Sequence, residues 1–324
     1  MLILADYLNK QLQIEKMKKF VFLVSCVFLY SSLILAQQDP QFSQNMFNKL
    51  ANNPGFAGSK QAICATAIHR SQWMGLEGAP TTLNLSVDAG IPMINGGLGL
   101  VIVKDEIASY SNLGLQLSYA YRTELGNGQL GAGVSLGMFQ SGLDGGGLRP
   151  SSPNDPALSE GSIVGSALDL GAGFYYNTQD AYIGVSTSHI NEPTIEWESS
   201  KTHKMKRHYF LIAGYYYEIN PMLSLNPSIY LKQTMENGQL DINTNIIYNN
   251  KIWGGVSYRR GEQNFSGEMV LLSGMNITDD LRFSIAYDLV FSNIGHNSLE
   301  FMLGYCFDIK YDQPISKYKN PRFL

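Results

Sequence analysis

Cysteine is scarce in this 324-residue sequence, charge is low, and beyond Leu35 no apolar run is long enough to cross a bilayer as a helix. Of the three cysteines, Cys26 falls in the amino-terminal apolar stretch, which leaves Cys64 and Cys306. Two are too few for a disulfide scaffold and form no metal-ligand cluster. Charged residues make up 15% of the chain and the net charge is −4, without a basic cluster, which excludes a nucleic-acid-binding surface. A mean hydropathy of −0.09, with 44% hydrophobic residues, excludes a helical membrane protein. Helical periodicity between the apolar segments is missing as well.

What is present is alternation. From Asn112 to Arg122, Leu113, Leu115, Leu117, Tyr119 and Tyr121 fall on one side, with Asn112, Gly114, Gln116, Ser118, Ala120 and Arg122 on the other. Successive side chains of a strand point to opposite faces, so this pattern makes one apolar and one polar wall. Such segments recur at 62–70, 81–90, 96–103, 111–123, 129–140, 165–177, 181–190, 207–219, 223–232, 239–248, 252–260, 265–277, 281–291 and 298–310. Leu281, Phe283, Ile285, Tyr287, Leu289 and Phe291 are expected to face lipid, and Arg282, Ser284, Ala286 and Asp288 the interior. A one-residue slip would place Arg282 in hydrocarbon, at roughly 2–4 kcal/mol near the midplane. The expected fold is all-β: a closed antiparallel transmembrane β-barrel of about 14 strands, of the outer-membrane type, over 62–310. The 19 Tyr, 15 Phe and 32 Gly suit aromatic girdles and close strand packing.

The amino-terminal residues read as targeting. Met17-Lys18-Lys19 is a basic start, Phe20 to Leu35 is apolar, and Ala36 precedes Gln37-Gln38, so a signal peptide over 1–36 is expected, with 1–16 a misassigned upstream extension. Leu23-Val24-Ser25-Cys26 has the look of a lipoprotein site, but the apolar run before it is short and continues past it. Residues 37–61 are expected as a periplasmic amino-terminal segment and 311–324 as a periplasmic tail. The first is too irregular for a spanning strand, yet Phe42, Met46, Phe47, Leu50 and Phe56 want burial. Small inward positions, among them Gly131, Gly133, Ser135, Gly171 and Gly173, leave room for it. It is expected to pack in or against the periplasmic mouth, with a short helix around Asn45 to Leu50.

Turn residues set the orientation. Tight reversals at 91–95, 124–128, 178–180, 220–222, 249–251 and 278–280 alternate with longer connections, above all 141–164 and 191–206. Short turns belong to the periplasm, so both termini are expected there and the two long loops outside. The first and last strands then pair, with Cys64 and Cys306 near the periplasmic end. Strand stagger is expected to keep their sulfurs apart as two free thiols.

Chemistry is thin. Residues 191–208 hold Glu192, Glu196, Glu198, Lys201, His203, Lys204, Lys206, Arg207 and His208, but without tight ligand spacing, so a solvated exterior loop is expected. Asp144, Asp155 and Glu160 lack the spacing of a calcium loop. Ser188 and His189 are neighbours and point to opposite faces, which defeats a hydrolase pair. No enzyme, cofactor or metal is expected. Trp73, with Arg70 and Gln72 beside it, is either an exposed anchor for a partner or an ordinary interfacial aromatic, and Trp197 and His203 are further candidates for partner contact.

Two motifs carry a resemblance. Gln38-Asp39-Pro40-Gln41-Phe42-Ser43-Gln44-Asn45-Met46-Phe47-Asn48 is followed by Asn53-Pro54-Gly55-Phe56-Ala57-Gly58, and then by Arg70-Ser71-Gln72-Trp73-Met74-Gly75-Leu76-Glu77-Gly78-Ala79-Pro80-Thr81-Thr82. With Tyr119-Ala120-Tyr121-Arg122, Arg207-His208-Tyr209-Phe210, Gly295 to Tyr305 and Asn320-Pro321-Arg322, this closely resembles the PorP/SprF family of type IX secretion proteins of Bacteroidetes. The resemblance implies an integral outer-membrane barrel without catalysis, whose partners are secretion components or a large exported surface protein such as a gliding adhesin. A passive porin, or a scaffold for the periplasmic secretion ring, would share the fold.

Overall fold

The computed structural model describes residues 39–60, 62–145, 161–198, 201–261, 267–291 and 296–308, with only the backbone at Glu198, Lys201, Thr202, Gly261 and Asp308. The targeting segment 1–36, most of the long loop at 146–160 and the tail 311–324 lie outside the described residues.

Alternation becomes a wall. The strands are β1 (Ala62–Ser71), β2 (Thr81–Ile91), β3 (Gly96–Ile107), β4 (Tyr110–Leu125), β5 (Gly128–Asp144), β6 (Ser162–Asn177), β7 (Ala181–Ser188), β8 (Thr194–Glu198) and β9 (Lys201–Lys204). They continue with β10 (His208–Tyr215), β11 (Tyr217–Asn220), β12 (Leu223–Gln233), β13 (Gly238–Tyr248), β14 (Ile252–Gly261), β15 (Glu268–Asn276), β16 (Leu281–Val290) and β17 (Ser298–Asp308). Each wall strand pairs antiparallel with its neighbours, β10 meets both β7 and β12, and β17 returns to β1. β10 and β11 are one wall strand broken at Tyr216, and β8–β9 is a separate hairpin, so the barrel is closed and has the 14 strands expected.

Closure leaves no unpaired edge for a bilayer to solvate. The outward row is apolar as expected: Leu117, Val134, Leu168, Leu303 and Phe307 are all exposed. Exposed aromatics gather at two levels, with Tyr121, Tyr215, Tyr248 and Tyr305 toward the tight turns and Tyr110, Tyr209, Tyr258 and Phe291 toward the opposite end. Two such girdles flanking an apolar band are what a membrane-spanning barrel needs. At the tight-turn end, Asn249 and Asn250 both take positive φ (51° and 54°), the left-handed pair a tight hairpin requires. Loop lengths alternate less cleanly than expected, because Ile107–Tyr110 and Gln233–Gly238 are also joined by short connections.

The seam corrects one expectation. Cys64 and Cys306 are direct partners in the β1–β17 register, their Cα atoms are 4.1 Å apart, and they form a disulfide. Both side chains lie on the inward row, so stagger does not separate them. Such a link typically contributes about 2–4 kcal/mol by restricting the unfolded chain. Cys64→Ser is therefore expected to lower the temperature at which the folded band disappears on a semi-native gel. The heat-denatured, unreduced wild type should also run faster than the reduced protein, and the variant should show no such difference.

A stretch of the chain itself occupies the interior, leaving a cavity of about 470 Å³ beside Asn48, Lys49, Lys60, Asp88 and Arg282. Residues 39–60 form a strap inside the barrel, and each of four apolar clusters takes at least one of its residues. Phe42 packs with Ile68 and Met302, Met46 with Trp253, Val270 and Leu272, and Leu50 with Val101 and Ala120, while Phe56 lies against Tyr175 and Phe210. The segment expected to pack in or against one mouth thus lies along the lumen. Asp39 bonds to His189, beyond the last residue of β7, at the end carrying the 144–162 and 188–208 connections. Lys60 Nζ reaches Cys306 Sγ (3.7 Å) at the opposite, tight-turn end. The strap therefore runs the length of the lumen, with Asp39 at the end away from the tight turns. The helix expected at 45–50 is also absent: the one helical piece among the described strap residues is a single 3-10 turn, Pro54–Phe56. The backbone N–H groups of Ser43 and Gln44 are taken by the Glu300 carboxylate (2.8 and 3.0 Å), so that part of the chain is shaped by the wall and not by its own ladder.

Candidate functional site

The lumen is where this sequence concentrates its buried charge. Arg70 on β1, Asp241 on β13, Arg259 on β14, Asp288 on β16 and Glu300 on β17 share the inward row, and the side chains of all five are at most 4% exposed. Arg70 bridges Asp288 (2.6 Å) and Glu300 (3.2 Å), and Arg259 bridges Asp241 (3.2 Å) and Asp288 (3.4 Å). At their centre is Ser43 of the strap. Its hydroxyl donates to Asp288 (2.7 Å) and accepts from Arg70 (2.8 Å) and Arg259 (3.2 Å). Asn45 Nδ2 donates to Asp241 Oδ2 at 2.9 Å. Buried ion pairs of this kind add little net stability against an apolar alternative, but breaking one is costly. Their effect here is to hold one short polar stretch, Ser43 to Asn45, in one position.

Toward the tight turns the wall recognises backbone. Arg122 Nη1 donates to the carbonyls of Gly55 (3.3 Å) and Ala57 (3.4 Å), and Ser186 Oγ donates to that of Asn52 (2.6 Å). Asn53 caps the 3-10 turn by accepting from Gly55 N (2.8 Å) and donates to the Phe174 carbonyl (3.0 Å). The turn lies against bare wall, since a Cβ on Gly133 would overlap the backbone of Pro54 and Gly55. Gly58 takes φ +66°, which glycine alone adopts freely, and abuts Gly90 and Gly97. Gly133→Leu is expected to displace the turn while leaving the strand ladder intact. Protease cleavage within 50–58 should then rise sharply, and the lipid-side control Val134→Leu should leave it unchanged.

Near the loop end a second polar group holds Asp39. His189 sits between two carboxylates, with Nε2 3.0 Å from Asp39 and Nδ1 2.9 Å from Asp169. Burial alone would lower its pKa, but Asp39 and Asp169 outweigh that and raise it to about 10. Lys232 Nζ donates to the main-chain carbonyl of Asp39 at 2.9 Å, and His208 Nδ1 lies 3.7 Å from its carboxylate. A cavity of about 120 Å³, lined by Asp39, Asp169, His189 and Lys232 together with Phe42 and Met138, opens beside this group.

The residues expected to meet a partner are distributed differently. Arg70 is buried in the charged centre, because β1 alternation turns it inward with Ile68. Gln72 N donates to the Pro80 carbonyl and closes the 71–81 connection. Trp73 is half-buried with φ 49°, and the exposed apolar side chains of that connection are Met74 and Leu76. Trp197 and His203 do meet, their rings stacked at 6.2 Å, with Trp197 Nε1 donating to the Ser141 carbonyl. Burial holds the His203 pKa below its ordinary value. Residues 191–208 are thus not the solvated loop expected. Ile195 and Met205 are fully buried, and Ile195 packs onto the inward-facing Gly165 of β6, so the hairpin folds into the mouth. His203 and His208 are not a pair; His208 groups with His189, to whose neighbour Ser188 it is registered across β7–β10.

Comparison with known proteins bears on the family. The model for the type IX secretion system membrane protein PorP/SprF matches residues 34–305. No curated protein matches the chain. Among solved structures, the Ralstonia pickettii toluene transporter TbuX is similar at 11% identity and a TM-score of 0.48, covering 80% of this chain and 93% of that one. The Pseudomonas putida toluene transporter TodX is similar at 12% identity and a TM-score of 0.46, with coverages of 80% and 93%. A family match spanning most of the sequence, on a closed barrel with an apolar outer wall, places the chain in the PorP/SprF family of type IX secretion outer-membrane barrels.

Proposed function

We propose that the protein is a noncatalytic component of type IX secretion that helps a large exported surface protein, such as a gliding adhesin, reach or remain on the cell exterior. The observation that carries this reading is the occupied lumen. A passive porin needs an open polar channel, whereas here a strap fixed by a buried charge network crosses the interior. Contacts with the exported partner are assigned to the loop end, where the β8–β9 hairpin and the exposed Met74 and Leu76 lie. Outer-membrane lipid contacts the apolar row, and the tight turns face the periplasm. Labels at Asn127 and Asn250 are then unreachable on intact cells, and labelling from outside at either position would reverse the orientation. The functional test compares the secreted and surface proteomes of a deletion strain with those of wild type. Loss of one or a few large surface proteins supports the reading. Normal export with reduced uptake of small solutes would replace it by the porin.

A further inference from the structure

We propose that Asp39, His189 and His208 form a binding site for a divalent transition-metal cation of the zinc class, which clamps the Asp39 end of the strap to the barrel wall. The inference is independent of the secretion reading. Three separate stretches of chain bring these residues together: the strap, the connection after β7 and the first residue of β10. One donor atom of each lies within 4.8 Å of the other two. Around a tetrahedral ion with bonds of about 2.0–2.1 Å, donor atoms stand roughly 3.3 Å apart. The 3.0 Å contact of Asp39 with His189 Nε2 is close to that spacing.

The surroundings are those of a ligand set. A metal-binding histidine characteristically donates its other ring N–H to a carboxylate or a backbone carbonyl, which fixes its tautomer. Asp169 is in that position on His189 Nδ1 (2.9 Å), and the Lys206 carbonyl is in that position on His208 Nδ1 (2.9 Å). Donation from Nδ1 leaves His208 Nε2 as a lone pair, and this atom is buried without a hydrogen-bond partner. The imidazole stacks on Phe210 (6.2 Å, 14°) and is edge-on to His189 (5.5 Å). Lys232, the cation on this wall, is bonded to the Asp39 main chain, so the carboxylate remains available to the histidines.

Two imidazoles and one carboxylate favour zinc and its neighbours over calcium or magnesium, which prefer all-oxygen sites. Asp39 and His189 also line the 120 Å³ cavity, and a water needs only about 10–15 Å³ of such space. Solvent can therefore complete the coordination. The bound ion would displace the proton that His189 shares with Asp39, releasing it to solvent, replace their hydrogen bond by two metal–ligand bonds, and fasten the strap at the end farthest from its attachment to β1.

The test uses the full-length mature protein, purified from outer membranes in detergent, stripped of metal and titrated with zinc chloride. Magnesium and calcium chlorides serve as competitors. The expected result is about one zinc per chain, retained against an excess of either competitor. The His189→Ala/His208→Ala double variant should lose it, and Asp169→Asn, which leaves all three ligands in place, should bind zinc about 10- to 100-fold more weakly. A wild type that takes up no zinc overturns the proposal. So does a double variant that keeps its folded band and as much zinc as wild type. Should the double variant fail to fold, an unchanged zinc affinity in Asp169→Asn overturns it instead.

Discussion

Removing residues 39–58 is expected to convert a blocked barrel into a conducting one. The wall keeps its closed ladder and the β1–β17 disulfide, because neither depends on the strap. Water then enters and solvates Asp241, Asp288 and Glu300, so the deletion leaves no buried charge behind. What it does cost is apolar burial. Phe42, Met46 and Leu50 are each at most 9% exposed, and such side chains contribute about 1.5–3 kcal/mol apiece when fully buried. The shortened protein should melt earlier yet remain a barrel. In planar bilayers the full-length chain is expected to pass almost no steady current and the deletion variant to show open-pore conductance. Equal currents from the two would mean that the strap does not occlude the lumen.

Arg70→Met is expected to be the most damaging single substitution in the wall. Its guanidinium serves Asp288, Glu300 and Ser43 together, at 3% exposure. Breaking a buried pair from one side costs about 3–5 kcal/mol, because the other charge stays behind unpaired. The sign of the imbalance sharpens this. The fully buried centre holds the carboxylates of Asp241, Asp288 and Glu300 against the guanidiniums of Arg70 and Arg259, so loss of an arginine worsens an existing negative excess. Glu300→Gln removes that excess and retains an acceptor, and should therefore be much milder. Thermal unfolding followed by the folded gel band measures both. In the strap-deleted barrel, where water reaches the centre, the cost of Arg70→Met should shrink to the about 0–1 kcal/mol of an exposed pair. A cost that stays the same in both backgrounds would show that the strap is not what keeps this centre dry.

The wall was legible because period two assigns every side chain of a strand to a face. Leu299, Phe301, Leu303, Tyr305 and Phe307 outward, and Ser284, Ala286 and Asp288 inward, follow from alternation alone and recur in the structure. The contents of the lumen follow no period. Phe42, Met46, Leu50 and Phe56 are irregularly spaced because each meets a different part of the wall. Irregular spacing signals a wish for burial without saying where. The charged centre draws on positions from 43 to 300, and its visible trace was only that Arg259, Asp241, Asp288 and Glu300 sit on polar rows. Trp73 was read from residue type, whereas a positive φ and a tight connection decide its exposure. The disulfide depended on the stagger of the whole barrel, which no single strand pair reveals. His189 was judged against its sequence neighbour Ser188, and its real companions lie on β10 and the strap.

The strap precedes β1 in the chain and ends up enclosed by strands that follow it, which imposes an order of wrapping on assembly. A sheet still open between β1 and β17 can lay its polar face around residues 39–60 from the side. Once those two strands pair over the registers from Ala62–Asp308 to Ser71–Leu299, the only ways in or out are the two mouths. Joining residues 242 positions apart is entropically slow, so the last closure is also the natural rate-limiting one. In the closed barrel the strap touches β1, β13, β14, β16 and β17, strands on both sides of that seam. Oxidation of Cys64 and Cys306 ties that seam covalently, so any later passage of the strap is through a mouth.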